Sequence, residues 1–79
     1  MEKRTFSAIA AEIKKLWPKP YFGAVPYIQA LLKCDTTDPK ARYMFEDVET
    51  QVLYLLANMT TFRGPDARRI KAELKSMLK

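Results

Sequence analysis

Seventy-nine residues with 14 Lys and Arg against 9 Asp and Glu carry a formal charge of +5, and 48% of the chain is hydrophobic. That composition fits one compact domain spanning residues 1–79, marginal in core size, and excludes collagen-like, linker or disordered sequence. The absence of histidine excludes Ser/His and Cys/His nucleophile pairs, an imidazole base and zinc sites that need histidine, while Cys34, the single cysteine, fits a reducing compartment.

In chain order, Phe6, Ile9, Ala10, Ile13, Leu16 and Trp17 recur at three- and four-residue spacings, with Glu12, Lys14 and Lys15 off that face. The spacing predicts an amphipathic helix, capped by Thr5 and stopped by Pro18. The stretch from Trp17 to Gly23 then reads as a stiff connection. A second helix is expected to start between Gly23 and Val25, with Pro26 in its first turn, and to run to about Lys33 on a face of Val25, Ile28, Leu31 and Leu32. Residues 35–40 read as loop, and 41–45 as an ambiguous segment with room for a short helical turn.

The third helix follows Asp47 as N-cap. Its stripe is Val48, Val52, Leu55, Leu56 and Met59, widened by Leu53 and Tyr54, and so apolar a helix is expected at the centre of the fold. After a break at 60–64, a fourth helix opens at Pro65 and Asp66 and carries Ala67, Ile70, Leu74, Met77 and Leu78. No segment alternates for long enough to predict a strand. The fold expected is all-α, a compact bundle of four short helices. The longest apolar run, 52–57, is far short of a membrane span, and no export signal is read at the start, so a cytoplasmic protein is expected.

Charge is uneven: residues 1–20 carry +3, residues 21–62 carry −2 and residues 63–79 carry +4. If the first and last helices lie side by side, their basic groups could form one positive face. The sharper feature is Arg63, Gly64, Arg68 and Arg69 around the start of the fourth helix, beside Phe62. Helix N-termini offer unpaired N–H groups, and arginine forks suit phosphate oxygens. The opposing reading is internal, with Asp66 capping those N–H groups and pairing with an arginine. Helix three, a break and a basic helix four also outline a helix-turn-helix, though helix four has no Asn or Gln to read adenine. Aromatic rings such as Trp17, Tyr21 and Tyr43, interleaved with basic residues, either grip a partner or close the ends of the core. The carboxylates of Asp35, Asp38, Glu46, Asp47 and Glu49 lack metal-ligand or acid/base spacing and read as solvated caps, so neither metal nor cofactor is expected.

Three segments together resemble a known family: "PYFGAVPYIQALL" from Pro20 to Leu32, "VLYLLAN" from Val52 to Asn58 and "TFRGPDARRIKAELKSML" from Thr61 to Leu78. They are similar to small uncharacterised proteins of phages and mobile elements of Gram-positive bacteria. The family pattern carries Tyr-Gly where this chain has Tyr43-Met44, and often Trp at Phe62. The resemblance implies setting rather than chemistry: a small cytoplasmic protein that acts in a bacterial host. The function expected is a non-enzymatic binding protein that blocks or sequesters a host component, as a CRISPR inhibitor or a nucleotide-signal sponge does. The alternative is a nucleic-acid-binding accessory or transcriptional regulator. The partner expected is a host protein or a phosphate-containing ligand, nucleotide or nucleic acid, with no membrane, and a homodimer through Leu53 and Tyr54 is a further expectation.

Overall fold

The computed structural model describes residues 4–43 and 46–78. Its elements are α1 (Phe6–Leu16), α2 (Val25–Leu32), β1 (Arg42–Tyr43), β2 (Glu46–Asp47), α3 (Val48–Ala57) and α4 (Pro65–Met77), within extents of 29 × 28 × 18 Å. The architecture is the expected small all-α domain of four helices. One departure lies in the ambiguous segment. Instead of a helical turn, Arg42 pairs with Asp47 and Tyr43 with Glu46 in a two-residue antiparallel ladder. Residues 44 and 45 lie outside the described residues.

Helix starts are set by local chemistry that the sequence displays. Thr5 Oγ1 accepts from the Ala8 N–H at 3.2 Å and opens α1. Asp47 Oδ1 accepts from the Thr50 N–H at 3.0 Å and from its hydroxyl at 2.6 Å, which opens α3 and holds the Asp47 carboxyl below its ordinary range. At the other end of α1, Trp17 still donates to the Ile13 carbonyl before Pro18 ends the helix.

The core is a single cluster in which Phe6, Ile9 and Ile13 of α1 meet Leu31 of α2, Val52 and Leu55 of α3, and Ile70 and Leu74 of α4, all inaccessible to solvent. The expectation that α3 is the central helix does not hold. Helix α1 packs on both α2 and α4, whereas α3 packs on α2 and leaves Leu53 and Tyr54 about half exposed. Leu16, counted on the core face of α1, is also exposed, because the helix ends there and Trp17 takes the inward position. Cys34 is buried; its thiol donates to the Ala30 carbonyl, its own carbonyl accepts from the Ser7 N–H, and burial pushes its pKa up. It works as a small apolar packing group with a backbone tie.

Helices α1 and α4 do lie side by side, yet their seam is not a positive face. Arg4 bridges Glu12 at 2.8 Å and donates to Glu73 through Nε at 3.0 Å, and Arg69 bridges Glu12 at 2.8 Å and Asp66 at 3.3 Å. Two arginines among three carboxylates leave the seam without excess positive charge. Glu73, two residues from both Lys71 and Lys75, finds its partner across the bundle. Among the described residues no helix is long and apolar enough to cross a membrane.

Candidate anion-binding site

Four helices present their first turns in two different ways. At α1, the N–H groups of Phe6 and Ser7 donate to the carbonyls of Thr36 and Cys34, and the third goes to Thr5. At α3, Val48 and Glu49 donate to the carbonyls of Ala41 and Pro39, and Thr50 to Asp47. At α2, Val25 and Tyr27 donate to the carbonyls of the preceding turn, and Pro26 has no N–H to satisfy. The orphan donors of a helix start are thus consumed by the protein in each case. Helix α4 differs. Its N-cap is Gly64, which has no side chain to cap with, Pro65 has no N–H, and the N–H groups of Asp66 and Ala67 have no acceptor among the described residues.

Gly64 sits at φ 113° and ψ 177°, a conformation closed to residues with a Cβ, and open space surrounds the position where a Cβ would stand. The glycine is therefore required by the backbone and leaves the helix start approachable. Beside it lies a cleft of about 290 Å³, lined by Arg63, Gly64, Ala67, Arg68 and Lys71, with Phe62 among its walls. None of the three cations has a carboxylate within ion-pair reach among the described residues. Arg63 donates only to the Thr60 carbonyl, at 3.2 Å, and Lys71 only to the Phe62 carbonyl, at 2.7 Å. Burial pushes the Lys71 ammonium below its ordinary pKa, and the charges of Arg63 and Lys75 push the same way. An anion in the cleft would relieve that crowding while meeting the positive end of α4.

The residues singled out in the sequence therefore divide. Arg63, Gly64 and Arg68 come together at the cleft. Arg69 does not: one residue further round the helix, it turns to Glu12 and Asp66, which raise its pKa, and it ties α4 to α1. Asp66 pairs with Arg69 but does not cap the helix, so the internal reading of this loop holds for that pair and not for the backbone donors. Phe62 is nearly buried and stacks on Trp17 with ring centroids 5.1 Å apart and planes 19° apart, so each ring covers the other. Both close the end of the core instead of offering a face. Tyr21 is exposed and leans on Phe22, away from the cleft, and the Tyr43 side chain lies outside the described residues. Lys71 is the member that linear reading missed. Its spacing three residues after Arg68 is the signal that puts both on one face of α4.

The helix-turn-helix outline is not favoured by this geometry. Residues 58–64 separate α3 from α4, against the three or four of that motif, and α4 packs on α1. Among the described residues no cluster of Cys, Asp or Glu is arranged to hold a metal ion. No family model, curated protein or solved structure matches this chain.

Proposed function

We propose that this protein is a non-enzymatic binding module that captures an anionic group, with the chemistry of a phosphate, in the cleft at the start of α4. The observation that carries the reading is the gathering of Arg63, Arg68 and Lys71, without carboxylate partners, around a helix start with two unused N–H donors. At the seam of α1 and α4 the same fold neutralises Arg4 and Arg69. Unpaired cations at close quarters cost stability, and a bound anion is the simplest compensation. The resemblance to phage and mobile-element proteins fits a role in the bacterial cytoplasm in which such capture blocks or sequesters a host component, as an anti-defence inhibitor or a sponge for nucleotide signals would.

Binding is measured by titrating the protein with a cyclic dinucleotide and, separately, with a fluorescein-labelled single-stranded oligonucleotide. One or the other binds, and Arg68→Glu abolishes that binding with unchanged melting, whereas Arg69→Gln lowers melting with binding retained. Salt separates the two forms of the hypothesis. Occupancy by a single phosphate group falls shallowly with salt, and a nucleic-acid partner that engages several phosphates falls steeply, which would favour the accessory or regulator reading. Binding that survives Arg68→Glu with the same salt dependence removes the cleft from the account.

A further inference from the structure

Two stretches of 13 residues, 20–32 and 50–62, contain no charged residue, in a chain where 29% of residues are charged. They hold α2 and all of α3 but Val48 and Glu49, and the two helices pack against each other. The rings of Tyr27 and Tyr54 stack across that seam at 5.5 Å. Asn58 continues it: its Nδ2 donates to the Tyr54 carbonyl, and its Oδ1 lies 2.7 Å from where a Cβ on Gly23 would stand, as does the ring of Tyr21. Tyr21 leans on Phe22 with centroids 4.8 Å apart. The start of α2 and the outer side of α3 are therefore one continuous face, and Glu49 is the one charged residue within the two helices. On it lie four of the five large hydrophobic residues exposed among the described residues: Phe22 at 79%, Leu53 at 52%, Tyr54 at 48% and Tyr21 at 45%.

We propose that this face is the contact of a twofold dimer, with a second copy of the chain as its occupant. Charge selects the occupant. Two molecules of +5 repel each other, and α2 and α3 bring no positive charge and a single negative one, Glu49, to a contact, so self-association is least opposed there. A strongly charged partner would find only Glu49 to meet there. A twofold axis also sets the same aromatic patch against itself, which supplies matching apolar area without any further element. Area sets the strength. The four exposed side chains present roughly 450 Å² per copy, the size of the largest apolar patch on a typical monomer, and about 900 Å² for the pair, in the range of weak, concentration-dependent association. This inference stands apart from the cleft of α4, and neither depends on the other.

Sedimentation velocity on the full chain tests it. From ~10 µM to ~1 mM, a monomer–dimer equilibrium is expected with half-dimerisation on the order of 100 µM, strengthened by added salt as repulsion is screened. Phe22→Ser and Leu53→Glu each raise the dimer Kd at least ~10-fold with unchanged circular dichroism and melting. If Leu53→Glu fails to fold, Phe22→Ser carries the test, because that ring packs least against its own chain. A 9.2 kDa monomer across the whole range overturns the proposal, as does association weakened by salt or left intact by the Phe22 variant.

Discussion

The first turns of α3 and α4 make an instructive pair. Both begin after a loop, and both carry an acidic residue, Glu49 in one and Asp66 in the other. At α3 the fold brings Ala41, Pro39 and Asp47 to the three leading N–H groups, and a short strand pair holds the loop that supplies them. At α4 no such loop folds back, a glycine replaces the capping side chain, and cations gather where acceptors would otherwise stand. The first arrangement is complete within the chain. The second leaves the N–H groups of Asp66 and Ala67 without an acceptor among the described residues, and the proposed anion would complete it.

The comparison can be broken at several points. Leu55→Ala, in the buried stripe of α3, is expected to cost about 2 to 5 kcal/mol in denaturant unfolding, comparable with the whole stability of so small a domain. Unchanged melting would show that α3 is not anchored as described. Arg68→Glu combined with Lys71→Gln should weaken anion binding by at least ~2 kcal/mol in calorimetric titration, the scale of one or two charge-assisted hydrogen bonds, while the fold is kept. Gly64→Ala should destabilise by about 1 to 3 kcal/mol from backbone strain alone, since its Cβ would meet no neighbour. A variant as stable as the parent would mean that the positive φ is not required. Thr5→Ala, at a start of the closed kind, should cost about 1 kcal/mol and leave anion binding untouched.

The mildest effect is that of pH. Arg69 and Arg4 hold the Glu12 carboxyl below its ordinary 4.5, and Thr50 holds that of Asp47 below 3.8. A carboxyl depressed in the fold contributes stability that is fully present above its unfolded pKa and is lost as pH falls through the folded value. Thermal melting should therefore be flat from pH 7 to about 5 and fall below about 4, with Glu12→Gln reducing the acid-dependent part. A melting temperature that rises on acidification would contradict the ion-pair seam.

Most of the fold was legible along the chain because its signals are local. Thr5 and Asp47 cap, Pro18 stops, Pro26 and Pro65 sit in first turns, and the Ala67, Ile70, Leu74 stripe faces inward. What was not legible depends on residues distant in sequence. Arg69 and Arg68 are adjacent and alike in type, and only the approach of Glu12, 57 positions earlier, assigns one to the seam and leaves the other at the cleft. Likewise, the apolar breadth of α3 suggested a central helix, because hydropathy does not distinguish a surface buried by its own chain from one left at the exterior. The tie between Trp17 and Phe62 was equally hidden, since either ring at a helix end reads as contact or as core.

The central claim is that the start of α4 alone is open to an anion. Amide chemical shifts during titration with inorganic phosphate at fixed ionic strength test it most directly. The account predicts saturable shifts at Asp66 and Ala67, with Gly64 and Arg68 following, and little change at Phe6, Ser7, Val48 and Glu49, whose N–H groups are already bonded. Equal shifts at all these helix starts, or none at Asp66 and Ala67, would contradict it.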